Sequence, residues 1–126
     1  MQLNAISPML EVNDLHETID YYTNTLGFEL HGTWPDDGPA QWAALSAGQV
    51  TLMFIARDKA EGKLPTLTGQ LYCYPPDVDR LWHELKDKVA IAWPIDNMSY
   101  GMREFAIRDC NGYVLTFGQG IEDIST

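Results

Sequence analysis

The sequence predicts an α+β domain made of two βαβββ units joined in tandem. Three observations lead there. A helix start of the form Asp followed by an apolar stripe occurs at Asp14-Leu15 and again at Asp77-Val78, 63 residues on. A hairpin return, Gly48-x-Val50, recurs as Gly112-x-Val114 at an offset of 64. Between the two copies, residues 57–67 (RDKAEGKLPTL) are mostly polar and contain Gly and Pro, the composition of a connector. The expected organisation is one domain with module one at 1–56, a linker at 57–67, module two at 68–118 and a tail at 119–126.

The elements follow in order. Residues 2–12 form a first strand, with Pro8, Leu10 and Val12 on one face and Ser7, Met9 and Glu11 on the other. Asp14 and Glu17 make a capping box, so a helix starts there. Its apolar stripe is Leu15, Ile19, Tyr22 and Leu26, and Gly27 is placed to end it. Strands are expected at about 28–34, 41–46 and 50–55, the last pair turned by Ala47-Gly48-Gln49. In the second unit a strand at 68–74 ends at Pro75-Pro76, and Asp77 caps a helix with Val78, Leu81, Trp82 and Leu85 buried. Strands at about 89–94, 102–108 and 113–117 complete it. The last two form a hairpin: Phe105 and Ile107 alternate with Glu104, Ala106 and Arg108, and Asp109-Cys110-Asn111-Gly112 supplies a turn whose Asn and Gly tolerate positive φ.

With 126 residues, 45% of them hydrophobic, the chain can form a packed core without cross-links. Its two cysteines, Cys73 and Cys110, are not spaced for a disulfide framework or a zinc site, which predicts a cytoplasmic protein. No apolar run is long enough to span a bilayer, and the N-terminus lacks the pattern of a signal peptide. Eight Lys plus Arg against 18 Asp plus Glu give a net charge of −10, which opposes binding to nucleic acid or anionic membrane. The first cation is Arg57, so residues 1–56 carry seven acids and no Lys or Arg. That distribution either keeps the protein in solution or lines a site for a cationic ligand.

The stretches ISPMLEVNDLHETIDYYTNTLGFEL, VTLMFIA and YGMREFAIRDCNGYVLTFGQ, in this order, resemble the vicinal oxygen chelate superfamily of glyoxalases, extradiol dioxygenases and bleomycin resistance proteins. The similarity is nearest to the bleomycin resistance proteins, which carry YGxREF or WGxREF before a D-x-x-G turn. It implies a cup-shaped mixed sheet with the helices outside. Metal-dependent relatives place four ligands on the first and last strands of the two modules. Counted from the Asp14 and Asp77 anchors, those positions are Ser7, Met53, Gln70 and Thr116. They hold no carboxylate and no imidazole, so no metal and no other cofactor is expected.

What remains on the inward face by strand parity is Met9, Glu11, Thr51, Met53, Ile55, Gln70, Tyr72, Tyr74 and Thr116, a lining suited to an organic ligand. Trp34 with Asp36 and Asp37, and Tyr100 where relatives commonly have Trp, could clasp a flat cation by stacking and charge. Trp42 and Trp93 fit either a wall or a core, Trp82 fits the core, and Arg103 and Glu104 suit a structural ion pair. His16 and His83 fall on polar helix faces. The resemblance implies a metal-free binding protein of the bleomycin resistance type, a homodimer in a family where the first strand is often exchanged and with Pro8 placed as the hinge, that sequesters a small organic molecule; the charge and aromatic pattern point to a cationic aromatic one. The expected contacts are Trp34, Asp36, Asp37, Trp42, Met53, Gln70, Tyr72, Tyr100 and Thr116. The alternative is a lyase, isomerase or dioxygenase-like enzyme on the same fold, with Glu11, Glu104 and His31 as candidate acid–base groups.

Overall fold

The computed structural model describes residues 1–58 and 64–124. It divides into two compact units, Met1–Pro65 and Thr66–Thr126. Residues 59–63 of the expected linker lie outside the described residues. Each unit holds a four-stranded mixed sheet with few helices, and the strand order is the same in both, as a duplicated βαβββ module requires.

In the first unit β1 (Met9–Val12), β2 (Glu29–Trp34), β3 (Trp42–Ala47) and β4 (Val50–Ala56) are arranged β1-β4-β3-β2. β1 runs parallel to β4, and the other pairs are antiparallel. The first strand is shorter than expected. Its ladder to β4 begins at Met9, and before it the Met53 amide donates to the Pro8 carbonyl at 2.9 Å. α1 (Leu15–Asp20) is capped by Asp14, whose Oδ1 accepts from the Glu17 amide at 3.0 Å.

Helix α1 then widens into a π-helical turn at Tyr21–Thr25, closed by the Leu26 amide donating to the Tyr21 carbonyl. Thr18 and Thr23 donate their hydroxyls to the carbonyls of Asp14 and Ile19, a back-bonding pattern that bends helices. The buried stripe is therefore Leu15, Thr18 and Tyr22, and Ile19 and Leu26 are only half-buried. Gly27 ends the segment at φ +78°, as predicted. Tyr22 meets Phe54 with ring centroids 4.8 Å apart, closing a core with Val12, Leu45 and Leu52.

In the second unit β5 (Gln70–Cys73), β6 (Ala90–Asn97), β7 (Met102–Arg108) and β8 (Val114–Gly120) are arranged β5-β8-β7-β6. α2 (Val78–Leu85) is capped by Asp77 and lays Val78, Trp82 and Leu85 on the sheet, with Trp82 and Phe105 centroids 5.2 Å apart. The turn after β7 forms as the sequence predicts. Asp109 Oδ1 accepts from the amides of Asn111 and Tyr113, both at 2.8 Å, and Gly112 takes φ +82°.

Two strands differ from expectation in ways that matter for the site. β8 continues past the expected end at residue 117 to Gly120, because β7 pairs with it along its whole length, Met102 opposite Gly120. β6 extends to Asn97, and its register to β7 shifts on both sides of Trp93. β6 is an edge strand, which is why it can hold Pro94 without breaking a ladder on both sides. No helix among the described residues is long and apolar enough to cross a membrane.

Candidate functional site

The face of the second sheet opposite α2 carries a buried carboxylate ringed by aromatic donors. Glu104 is 2% exposed. Its Oε1 accepts from the Tyr72 hydroxyl at 3.0 Å and from the Tyr100 hydroxyl, and its Oε2 accepts from the Trp93 indole N–H at 3.1 Å. A carboxylate is acceptor-only, so three donors of this kind satisfy it without neutralising it.

Each donor reaches Glu104 for a local reason. Tyr72 lies on edge strand β5, and β8 separates it from β7. Its ring crosses β8 at Gly118, the residue paired with Glu104. A Cβ on Gly118 would stand 2.7 Å from Tyr72 Cζ, so only glycine leaves the path open. Trp93 comes from the opposite edge, where the two register shifts of β6 isolate it and turn its indole N–H toward Glu104. Tyr100 sits in the tight connection between β6 and β7, followed by Gly101 at φ +85°, a conformation that strains any other residue.

Two open concavities meet at Tyr100. One, of about 390 Å³, is lined by Trp93, Pro94, Asp96, Met98, Tyr100 and Glu104. The other, of about 270 Å³, is lined by Tyr72, Tyr74, Tyr100 and Met102. Tyr72 and Tyr74 tilt against one another with centroids 5.2 Å apart. Tyr74 and Tyr100 are largely exposed, at 75% and 63%, so aromatic surface is available to a ligand.

The carboxylate helps to raise the pKa of the phenols it touches. Burial, then the hydrogen bond and charge of Glu104, push Tyr72 well above its ordinary value of 10.0. The hydrogen bond to Glu104 raises Tyr100 as well. A tyrosine whose folded value is raised holds its proton more tightly when folded. Its contribution to stability is complete below pH 10 and is lost as pH climbs through the folded value. Ultraviolet difference titration of the six tyrosines should show two that ionise later than the free phenol, and Glu104→Gln should bring them back toward it. Unchanged late ionisation in that variant would exclude Glu104 as the cause.

The expected ion-pair role divides between the two neighbours. Arg103 forms an ion pair with Asp79, Nη2 to Oδ1 at 3.0 Å, and also donates to Asn97. Successive residues of a strand face opposite ways, so Glu104 is turned from Arg103 and takes the aromatic donors instead. Sequence reasoning left Trp93 undecided and missed Gly118.

The remaining expected site residues are placed as follows. Trp34 and Trp42 are a cross-strand pair on β2 and β3, Trp34 exposed and Trp42 half-buried. Asp36 and Asp37 are exposed in the loop between those strands. Met53 on β4 is paired with Met9, and Glu11 with Ile55, on the face opposite α1. His31 is exposed and bonded to Ser46. His16 and His83 are exposed.

The positions where metal-dependent relatives hold ligands do not fit a divalent ion. Thr116, fully buried, gives its hydroxyl to Gln70 Oε1, so these two polar groups satisfy each other. In the first unit Ser7 and Met53 offer a hydroxyl and a thioether. None of the four carries the negative charge or imidazole that offsets the dehydration of such an ion.

Comparison with solved structures finds the same fold in other proteins. The chain is similar to TioX from Micromonospora sp. ML1, at 21% identity over 93% of this chain and 98% of that one, with a TM-score of 0.76. It is similar to TnmS3, an antibiotic binding protein from Streptomyces sp. CB03234, at 22% identity over 95% and 98%, TM-score 0.74. It is also similar to the bleomycin-binding protein from bleomycin-producing Streptomyces verticillus, solved with copper(II)-bleomycin, at 22% identity over 93% and 96%, TM-score 0.68. No curated protein matches. These likenesses establish the fold, and the match over residues 3–117 establishes the family: the chain belongs to the Glyoxalase/Bleomycin resistance protein/Dioxygenase superfamily.

Proposed function

We propose that this protein binds a small, flat, cationic organic molecule and holds it unaltered, without a metal, as bleomycin resistance proteins do. The observation that carries the reading is the uncompensated carboxylate of Glu104 beneath exposed aromatic surface. Stacking and cation–π attraction on such surface contribute about 0.5–2 kcal/mol per ring. In the second unit the proposed contacts are Tyr72 and Tyr100, with Gln70 held in place by Thr116; Trp34, Asp36, Asp37, Trp42 and Met53 are the proposed contacts of the first unit, taken by itself. The cation-free first 56 residues favour the same ligand charge. The antibiotic-binding relatives bind ligands on this fold, which supports sequestration as the role.

Of the acid–base candidates for an enzyme on this scaffold, Glu11, His31 and Glu104, it is Glu104 that lies in the aromatic cluster. Glu104 is committed to three donors, which makes it a poor candidate for that work.

Tryptophan fluorescence titration with metal-free bleomycin, a cationic acridinium dye and an anionic naphthalenesulfonate tests the reading. Both cations are expected to quench and bind more tightly than the anion, with the advantage shrinking as salt rises, since charge is screened beyond about 8 Å at physiological ionic strength. Equal affinity for cation and anion at low salt would overturn it. A homodimer is part of the same proposal, as family members complete their ligand crevices with a second subunit. Light scattering at micromolar concentration should return twice the chain mass, and a monomer at all concentrations would remove the shared crevice.

A further inference from the structure

Glu104 has, among the described residues, no ion-pair partner. The cation next to it in sequence, Arg103, is engaged by Asp79 and Asn97. The three groups that do touch Glu104 are neutral, so a full negative charge lies directly under the concavity lined by Trp93, Met98 and Tyr100.

Resting on the binding role proposed above, we infer that Glu104 is the counter-charge for the ligand's cation. We infer further that this cation lacks hydrogen-bond donors: a quaternary ammonium, a sulfonium or an N-alkylated heteroaromatic ring.

The occupancy of the carboxylate oxygens carries the second half of the statement. Tyr72 and Tyr100 share Oε1, Trp93 takes Oε2, and the group is 2% exposed. A primary ammonium brings three donors and a tight hydration shell, and it needs acceptors to replace that water. Here both acceptor sites of Oε1 are taken and the one left on Oε2 is shut off by the burial of the group, so the ammonium would have to displace a tyrosine or open the cluster. A quaternary cation asks for no acceptor. It is weakly hydrated and interacts through field and polarisability, which the ring faces and the Met98 and Met102 thioethers provide. The hydrogen bonds add to this: a phenol donating to a carboxylate gains electron density, and its ring face becomes a better partner for a cation. Asp96 on the rim contributes a second negative charge.

Three probes on one ring system separate the possibilities: N-methylacridinium, neutral acridine at pH 8, and an acridine bearing an aminomethyl group. In fluorescence titrations the wild-type protein should bind N-methylacridinium about tenfold more tightly than either of the others. In Glu104→Gln, which preserves shape, the ratio of cation to neutral affinity should fall to within about twofold. Tyr100→Phe keeps the ring but frees a lone pair on Oε1, and should shift preference toward the primary ammonium several-fold. Circular dichroism checks that each variant is folded, and the Tyr100→Phe arm stands if Glu104→Gln is not. A ratio retained in Glu104→Gln, a wild-type preference for the primary ammonium, or no shift in Tyr100→Phe would each overturn the inference while leaving a binding protein. Failure of all three probes to bind the wild-type protein would instead overturn the proposed function, and the inference with it.

Discussion

Glu104→Ala is expected to lower the unfolding free energy by about 2–4 kcal/mol, a large share of what a domain of this size holds. Glu104 is the common acceptor for two edge strands and one turn: Tyr72 on β5, Trp93 on β6 and Tyr100 between β6 and β7. Its loss leaves the Tyr72 and Trp93 donors, both half-buried, without their partner. Hydrogen bonds to a charged group contribute about 1.5–3 kcal/mol each, and relief of the cost of burying the carboxylate offsets part of that. Tyr100 is largely exposed and its bond adds little to stability. Asp96→Ala, at an exposed position on the same rim, should change stability by less than about 0.5 kcal/mol. Urea unfolding with m-values compared across the three proteins measures the difference. Equal midpoints for Glu104→Ala and Asp96→Ala would mean the cluster does not hold the sheet face together.

Gly118→Ala is expected to act on the same cluster from the other side. The added methyl would meet the Tyr72 ring at 2.7 Å, well inside van der Waals contact, and that ring is the bulky end of a side chain hydrogen-bonded in place. The ring must swing off β8, breaking its bond to Glu104, at a cost of about 1–3 kcal/mol. Ligand affinity should fall with it, because Tyr72 walls the concavity it shares with Tyr74 and Tyr100. Tyr72→Phe tells the two causes apart. It removes the hydroxyl but leaves the ring over Gly118, so it should cost less than Gly118→Ala in stability and in binding. A Gly118→Ala protein with wild-type stability and an unmoved tyrosine titration would show that the sheet yields instead of the ring.

The architecture was legible because its signals are local. Asp14 and Asp77 cap their helices through their own side chains, three residues from the amides they accept. Gly112 and Asp109 shape a turn within five residues of chain. Helical period alone finds the inward stripe of α2, of which Val78 and Leu85 are buried and Leu81 and Trp82 half-buried. The first helix shows where local reading stops: Thr18 and Thr23 bond back to the backbone, the turn widens, and the buried face rotates from Ile19 to Thr18. Strand length was misjudged at β6 and β8 because a ladder ends where its partner ends, and Met102 carries the pairing to Gly120.

By itself the sequence determined the doubled α+β module, the chemistry missing from Ser7, Met53, Gln70 and Thr116, and the aromatic and acidic inventory available to a ligand. One step more was within reach. The turn pairs Asp109 with Tyr113, and counting five residues outward on each strand sets Glu104 opposite Gly118. Only the tertiary structure decided what that gap is for. Tyr72 and Trp93 lie 32 and 11 residues from Glu104 in the chain and on opposite edges of the sheet. Their meeting depends on strand order, on two register shifts in β6 and on the absence of one Cβ. Hydrophobic period and capping chemistry report what a residue does to its own neighbourhood along the chain. A hydrogen bond between strands is set by the packing of the whole sheet, and no pattern within a single strand encodes it.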